Sequence, residues 1–172
     1  ANSSNFLNLL KWSTKNLWKP VDEFDQKDFN KKCNEFYFTK TLKRVSSFLE
    51  IENTKDIPQV INGENIPSAK QLINSISQNL FENRQPYLFH GDFILDNIIF
   101  LKDSKFKLID WRQDFAGDIE KGDVYYDLGK LSHNLIVNHN IIDKNLFEIT
   151  YDKEKVFVDI YRYQLLVECE NE

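Results

Sequence analysis

The chain of 172 residues contains no methionine and only two cysteines, five glycines, four prolines and three histidines. Cys33 and Cys169 have neither the paired spacing of a zinc site nor the number a disulfide framework needs, which excludes the small stapled folds. There is no signal peptide and no apolar run of membrane-spanning length, so the sequence reads as a cytoplasmic protein with no membrane partner. Positive charge is short as well: 22 Lys and Arg stand against 27 Asp and Glu, a formal net charge of -5. That balance argues against nucleic acid or an anionic surface as the main partner, because both need a basic face. It does not exclude phosphate substrates, since a bound divalent cation can supply the local positive charge. The missing methionine and the polar opening Asn2-Ser3-Ser4-Asn5 read as either a piece of something longer or a chain trimmed at its start, so function is read for the parent protein first.

What the chain has is core material. Hydrophobic residues make up 41% and aromatics 14%, with 14 phenylalanines, enough to expect one folded domain over residues 1–172. No internal repeat or low-complexity tract interrupts it. Residues 6–19 carry Phe6, Leu9, Leu10 and Leu17 on a helical pattern that stops at Pro20, with Trp12 and Trp18 as core. Residues 28–50 predict a second helix, with Phe38, Leu42, Val45 and Leu49 inside and Lys40, Lys43 and Arg44 on a solvated face. Residues 51–67 hold Asn53, Pro58, Asn62, Gly63 and Pro67 with little periodicity and read as a loop. A helix capped by Ser68 is expected to run to about Phe81 and to bury Leu72, Ile73, Ile76 and Leu80. Pro86 ends it, and Tyr87-Leu88-Phe89 reads as a short strand.

Further on, Ile98–Leu101 and Phe106–Ile109 flank the polar turn Lys102-Asp103-Ser104-Lys105 and predict a hairpin. Residues 111–122 read as an acidic loop. Val124–Val137 predicts a helix with Leu128, Leu131, Leu135 and Ile136 inside. The last thirty residues read as helical from Lys153, while their β-branched and aromatic content keeps strand open.

The chemistry gathers in residues 90–128. Transfer of a phosphoryl group to a hydroxyl needs a carboxylate that orients the alcohol and accepts its proton, and oxygen ligands that hold magnesium against nucleotide phosphates. In His90-Gly91-Asp92 followed by Asn97, an aspartate and an asparagine stand five positions apart on one loop. The carboxylate can face the acceptor while the amide oxygen turns to the metal. Asp110, at the end of the hairpin, would be the second ligand, and magnesium accepts so sparse a set because water and phosphate complete it. A metal-dependent hydrolase built on His90, Asp92 and Asp110 is another reading of the same residues. His133 and His139, six apart, do not share a helical face and make no metal pair.

Here the chain resembles the aminoglycoside phosphotransferase and choline kinase family, small-molecule relatives of the protein kinases. The resemblance rests on His90-Gly91-Asp92-Phe93-Ile94-Leu95-Asp96-Asn97, on Ile109-Asp110-Trp111-Arg112, and on Gly122-Asp123-Val124-Tyr125-Tyr126-Asp127-Leu128, in that order and at family-like spacing. It implies an α+β, mostly helical fold, the C-terminal lobe of a kinase, with a small β-hairpin carrying the metal-binding aspartate. It implies a small-molecule kinase that uses ATP and Mg2+ to phosphorylate a hydroxyl of a sugar-like compound or an amino alcohol. Asp92 would be the catalytic base, and Asn97 and Asp110 the metal ligands. His90 would brace the loop, while Asp123 and Asp127 would steady it and start the next helix.

The chain also departs from its relatives. Gly91 stands where protein kinases place arginine, which speaks against switching by a phosphorylated activation loop. Trp111 and Arg112 follow Asp110 with no glycine after them. Many choline kinases carry an acidic residue where Arg112 stands, so Arg112 on the substrate side favours a neutral or anionic acceptor. Alternatively it pairs with Asp114 or Asp118 and touches no substrate. With only Gly63, Gly91, Gly117, Gly122 and Gly129, and no lysine in a strand pattern among the first sixty residues, neither a flexible nucleotide-covering loop nor a phosphate-binding lysine is legible. The N-terminal lobe therefore reads as absent, so that the chain alone is expected to bind nucleotide poorly and to turn over slowly or not at all, and the rival to a kinase is a noncatalytic binding module derived from one.

Overall fold

The computed structural model describes residues 3–76, 78–101, 105–112, 114–153 and 155–172. In chain order the elements are α1 (Ser3–Asn16), α2 (Gln26–Asn34), a π-helical turn (Glu35–Thr39), α3 (Lys40–Ile51), β1 (Gln59–Ile61), β2 (Glu64–Ile66) and α4 (Ala69–Ser75). After 3-10 turns at Gln78–Phe81 and Leu95–Asn97 come β3 (Ile98–Phe100), β4 (Phe106–Leu108), α5 (Val124–Ile136) and α6 (His139–Asp143). The chain closes with β5 (Phe147–Asp152), β6 (Lys155–Ile160) and α7 (Gln164–Asn171). Helices with two small, separate sheets make it an α+β protein. No helix among the described residues is long and apolar enough to cross a membrane.

Contacts divide the chain into two compact units. The first, residues 1–24, 85–146 and 160–172, carries every residue of the motif region. Its core joins Phe6 and Leu9 of α1, Phe93 of the loop, Phe106 of β4, Leu131 and Leu135 of α5, and Leu166 and Cys169 of α7. Trp18 lies 5.2 Å from Phe93, and Trp12 lies 5.7 Å from Phe106. These aromatic pairs join the chain start to the loop and to the hairpin. In β3–β4, Ile98 is paired with Leu108 and Phe100 with Phe106. The hairpin is thus as predicted, although its turn, 102–104, lies outside the described residues. The thiol of Cys169 is pushed up by burial and by the neighbouring carboxylates of Glu168 and Glu172. Cys33 and Cys169 are both free and buried.

The second unit, residues 25–84 and 147–159, corrects several expectations. The predicted helix 28–50 is one helical run from Gln26 to Ile51, with the π turn inside it. Phe29, Cys33 and Phe36 are its buried row, while the expected inner face of Phe38, Leu42, Val45 and Leu49 is partly buried, on a helix α3 with no fully buried residue. The expected loop 51–67 contains a β-hairpin, with Val60 opposite Asn65 across the two-residue turn Asn62-Gly63. Both turn residues are left-handed, at φ 51° and 84°, the backbone that makes Asn-Gly the preferred tight hairpin turn. The expected C-terminal helix from Lys153 is instead β6. It runs parallel to β1 in the sheet order β2-β1-β6-β5, and only Gln164–Asn171 is helical.

Three smaller corrections follow. The capping box of Ser68 and Gln71 starts α4 as expected, but the helix ends at Ser75, so Leu72, Ile76 and Leu80 are exposed rather than buried. Tyr87 makes only isolated bridges, to Pro20 and Gly122, and 87–89 is no strand. On α5 the inward face is Asp127, Leu131, Asn134 and Leu135, while Leu128 and Ile136 are partly exposed. Polar residues take those inward places because the loop they face offers backbone N–H groups.

Candidate active site

The loop 90–97 is organised by His90, which is 1% exposed. Its Nε2 lies 2.8 Å from the carbonyl oxygen of Ile109, and its Nδ1 lies 3.2 Å from the amide nitrogen of Asp92. A carbonyl can only accept and an amide N–H can only donate. The imidazole therefore carries its proton on Nε2 and accepts at Nδ1. The carbonyl of His90 in turn accepts from Arg112 N at 3.1 Å, and the Trp111 ring lies 4.7 Å from the imidazole. One buried histidine thus grips the chain on both sides of Asp110 and also holds the amide of Asp92. With both ring nitrogens occupied, it has no lone pair for a metal, which weighs against the hydrolase reading.

Asp127, at 0% exposure, holds the same loop from α5. Its Oδ2 accepts from His90 N at 2.8 Å and from Trp18 Nε1 at 3.0 Å, and its Oδ1 accepts from Gly91 N at 2.7 Å. Burial pushes its pKa above the usual carboxylate range, against the N–H donors of His90, Trp18 and Gly91 that pull it down. Asp123 is buried and caps α5, accepting from Tyr125 N. A third clasp is Asn134, whose Oδ1 accepts from Leu95 N at 3.0 Å.

Gly91 is the position where the backbone leaves no alternative. Its φ is +82°, and a Cβ there would lie 2.4 Å from Cβ of Arg112. The close approach that lets Arg112 N reach His90 O therefore requires glycine, in both conformation and space.

On this frame Asp92 is partly exposed, with its carboxylate held at both oxygens. Lys130 Nζ lies 2.7 Å from Oδ1, and Asn97 Nδ2 donates to Oδ2 at 3.1 Å and to the Asp92 carbonyl at 3.0 Å. Because Nδ2 faces two acceptors, the amide of Asn97 has its orientation fixed, and Oδ1 is its remaining oxygen donor. Asn97 O accepts from Ile109 N at 3.0 Å, so Asp110 follows directly on a residue bonded to Asn97. Asp110 is exposed and left-handed, at φ 56°, a conformation aspartate tolerates better than most residues. The amide oxygen of Asn97 and the carboxylate of Asp110 are hard oxygen donors of the kind magnesium takes, with water and phosphate filling its other positions. Among the described residues no group of three or more His, Cys, Asp or Glu could hold a metal by itself. A closed, all-protein cage is therefore not what these donors offer.

The residues expected on the substrate side differ in their commitments. Trp111 is 53% exposed. Arg112 donates from Nε to the carbonyl of Asp114 and from Nη1 to Tyr126 Oη at 2.8 Å, with its guanidinium over the Tyr126 ring. Arg112 thus reaches Asp114 through that residue's main-chain carbonyl. Sequence reasoning missed Lys130, Trp18 and Asn134. For Lys130 a signal existed: it stands three residues after Asp127, on the same side of α5.

A buried histidine and a buried aspartate thus brace a loop that presents one carboxylate and one amide oxygen. Residues 34–143, more than half of the chain, match the family model described as the phosphotransferase enzyme family. The chain belongs to that family, which comprises aminoglycoside phosphotransferase and choline kinase-like proteins. No curated protein and no solved structure matches it.

Proposed function

We propose that this site transfers the terminal phosphoryl group of ATP to a hydroxyl of a small molecule, with Asp92 as the catalytic base. Asn97 Oδ1 and Asp110 would hold magnesium, which when bound neutralises nucleotide phosphate charge. Asp92 accepts the hydroxyl proton as the oxygen attacks phosphorus and the bond to the ADP oxygen breaks. The observation that carries the reading is the two-sided hold on the Asp92–Asn97 pair. Asn97 donates through nitrogen to Asp92, which leaves its oxygen for a cation and the carboxylate for an acceptor. His90 and Asp127 keep the loop in that shape without taking part in the chemistry.

The acceptor is a sugar-like compound or an amino alcohol. Arg112 is held by neutral groups, the Asp114 carbonyl and Tyr126 Oη. The test is titration of the protein with ATP, with and without magnesium, in wild type, Asn97→Ala and Asp110→Ala. Magnesium should tighten binding in wild type, and either substitution should remove most of that gain. Equal binding with and without magnesium in wild type would overturn the ligand assignment.

A further inference from the structure

We propose that Lys130 is a positioning residue of the phosphoryl-transfer site, an inference that rests on Asp92 being the base. Loop 90–97 contains no cation of its own. Among the described residues, the cation paired with Asp92 comes from α5, the helix that already holds this loop through Asp127 and Asn134. Lys130 stands between those two anchors, and its Nζ lies 2.7 Å from Asp92 Oδ1.

A carboxylate with one hydrogen-bonded oxygen still turns about its Cβ–Cγ bond. With Lys130 on Oδ1 and Asn97 on Oδ2, the plane of Asp92 is set. A carboxylate offers about four lone-pair sites, so acceptor sites remain for a hydroxyl. Charge adds a second reason. A divalent cation held by Asn97 and Asp110 would attract Asp92, and a base drawn onto the metal no longer faces the acceptor. The ammonium of Lys130 holds Asp92 by an interaction of the same sign. Because misplacement of a reacting group by about an ångström costs about 100-fold in rate, loss of this hold should appear in turnover rather than in nucleotide binding.

The test uses Lys130→Met, Lys130→Arg and Asp92→Asn in the full chain. One readout needs no activity: the rate at which an amine-acylating reagent modifies Lys130, relative to exposed Lys15, in the absence of nucleotide. Asp92→Asn should speed labelling of Lys130 several-fold, and an unchanged rate overturns the pairing. The second readout is ADP formation from magnesium-ATP with water as acceptor. Lys130→Met should lower kcat by about 10- to 100-fold with KM for ATP within about twofold, and Lys130→Arg should restore most of the loss. If Lys130→Met turns over at the wild-type rate while Asp92→Asn does not, the inference fails and the base assignment stands. If Asp92→Asn turns over like wild type, the base assignment fails and the inference with it.

Discussion

At the scale of single residues, the candidate site is a set of buried braces around a few exposed groups. Gly91 and Asp127 are the braces whose loss has a computable sign. Gly91→Ala places a side chain in the left-handed region and against Arg112, so we expect a loss of about 2–4 kcal/mol in urea unfolding. Asp127→Asn replaces one acceptor oxygen by a donor, facing N–H groups that are themselves buried. It should cost about 1–3 kcal/mol. The pH dependence of that cost follows from the raised pKa. The folded chain holds the Asp127 proton more tightly than the unfolded chain does. The stability this adds is complete below the usual carboxylate value near 3.8 and is lost as pH rises through the higher folded value. The gap in unfolding free energy between wild type and Asp127→Asn should therefore narrow as pH is raised from about 4 towards neutrality. A widening gap would show that the N–H donors, not burial, dominate.

Which residues gather at the loop is legible where they are close in sequence or fall in one of the three motifs, as Asp127 does. His90, Asp92 and Asn97 lie in eight consecutive positions. The Trp18–Asp127 bond spans 109 positions, and nothing local in either segment announces it. Lys130 was the nearer miss, because helical spacing alone puts it beside Asp127.

At the scale of elements, the errors have separate physical causes. Over 28–50 the helix is as expected, but its fully buried row, Phe29, Cys33 and Phe36, lies in the first half, and the expected face of Phe38, Leu42, Val45 and Leu49 is only partly buried. Periodicity shows which residues share a face, not how completely a neighbouring element covers it. The hairpin at 59–66 was missed although Asn62-Gly63 is its signature, since three-residue strands are too short to alternate visibly. Strand β6 lies between β5, which directly precedes it, and β1, which lies far back in the chain, and only the second pairing is invisible locally. Asn62 shows how that pairing is secured: its Nδ2 donates to Val158 O at 3.0 Å, and its Oδ1 accepts from Val158 N at 2.8 Å. The side chain thus continues the ladder beyond the end of β1. Asn62→Ala should cost about 1–2 kcal/mol and speed hydrogen exchange at the Val158 amide, with the amide of Leu95 unaffected. Ser68→Ala should cost about 1 kcal/mol by removing the cap of α4, read as a lower midpoint in urea.

At the scale of the whole molecule, family membership was legible because it is carried by three short motifs in one compact unit, each within hydrogen-bonding reach of the next through His90 or Asp127. The division into two units was not legible, because it depends on pairing residues 147–159 with a sheet formed before residue 84. The central claim concerns the first unit, in which a neutral histidine and a buried aspartate hold Asp92 as the base of phosphoryl transfer. The most direct measurement of that claim is turnover of magnesium-ATP by wild type and Asp92→Ala, with sugars and amino alcohols offered as acceptors and the nucleotide Kd measured alongside. The account predicts that Asp92→Ala loses at least about 100-fold in kcat while its Kd stays within about twofold of wild type. Turnover by Asp92→Ala at the wild-type rate would contradict it.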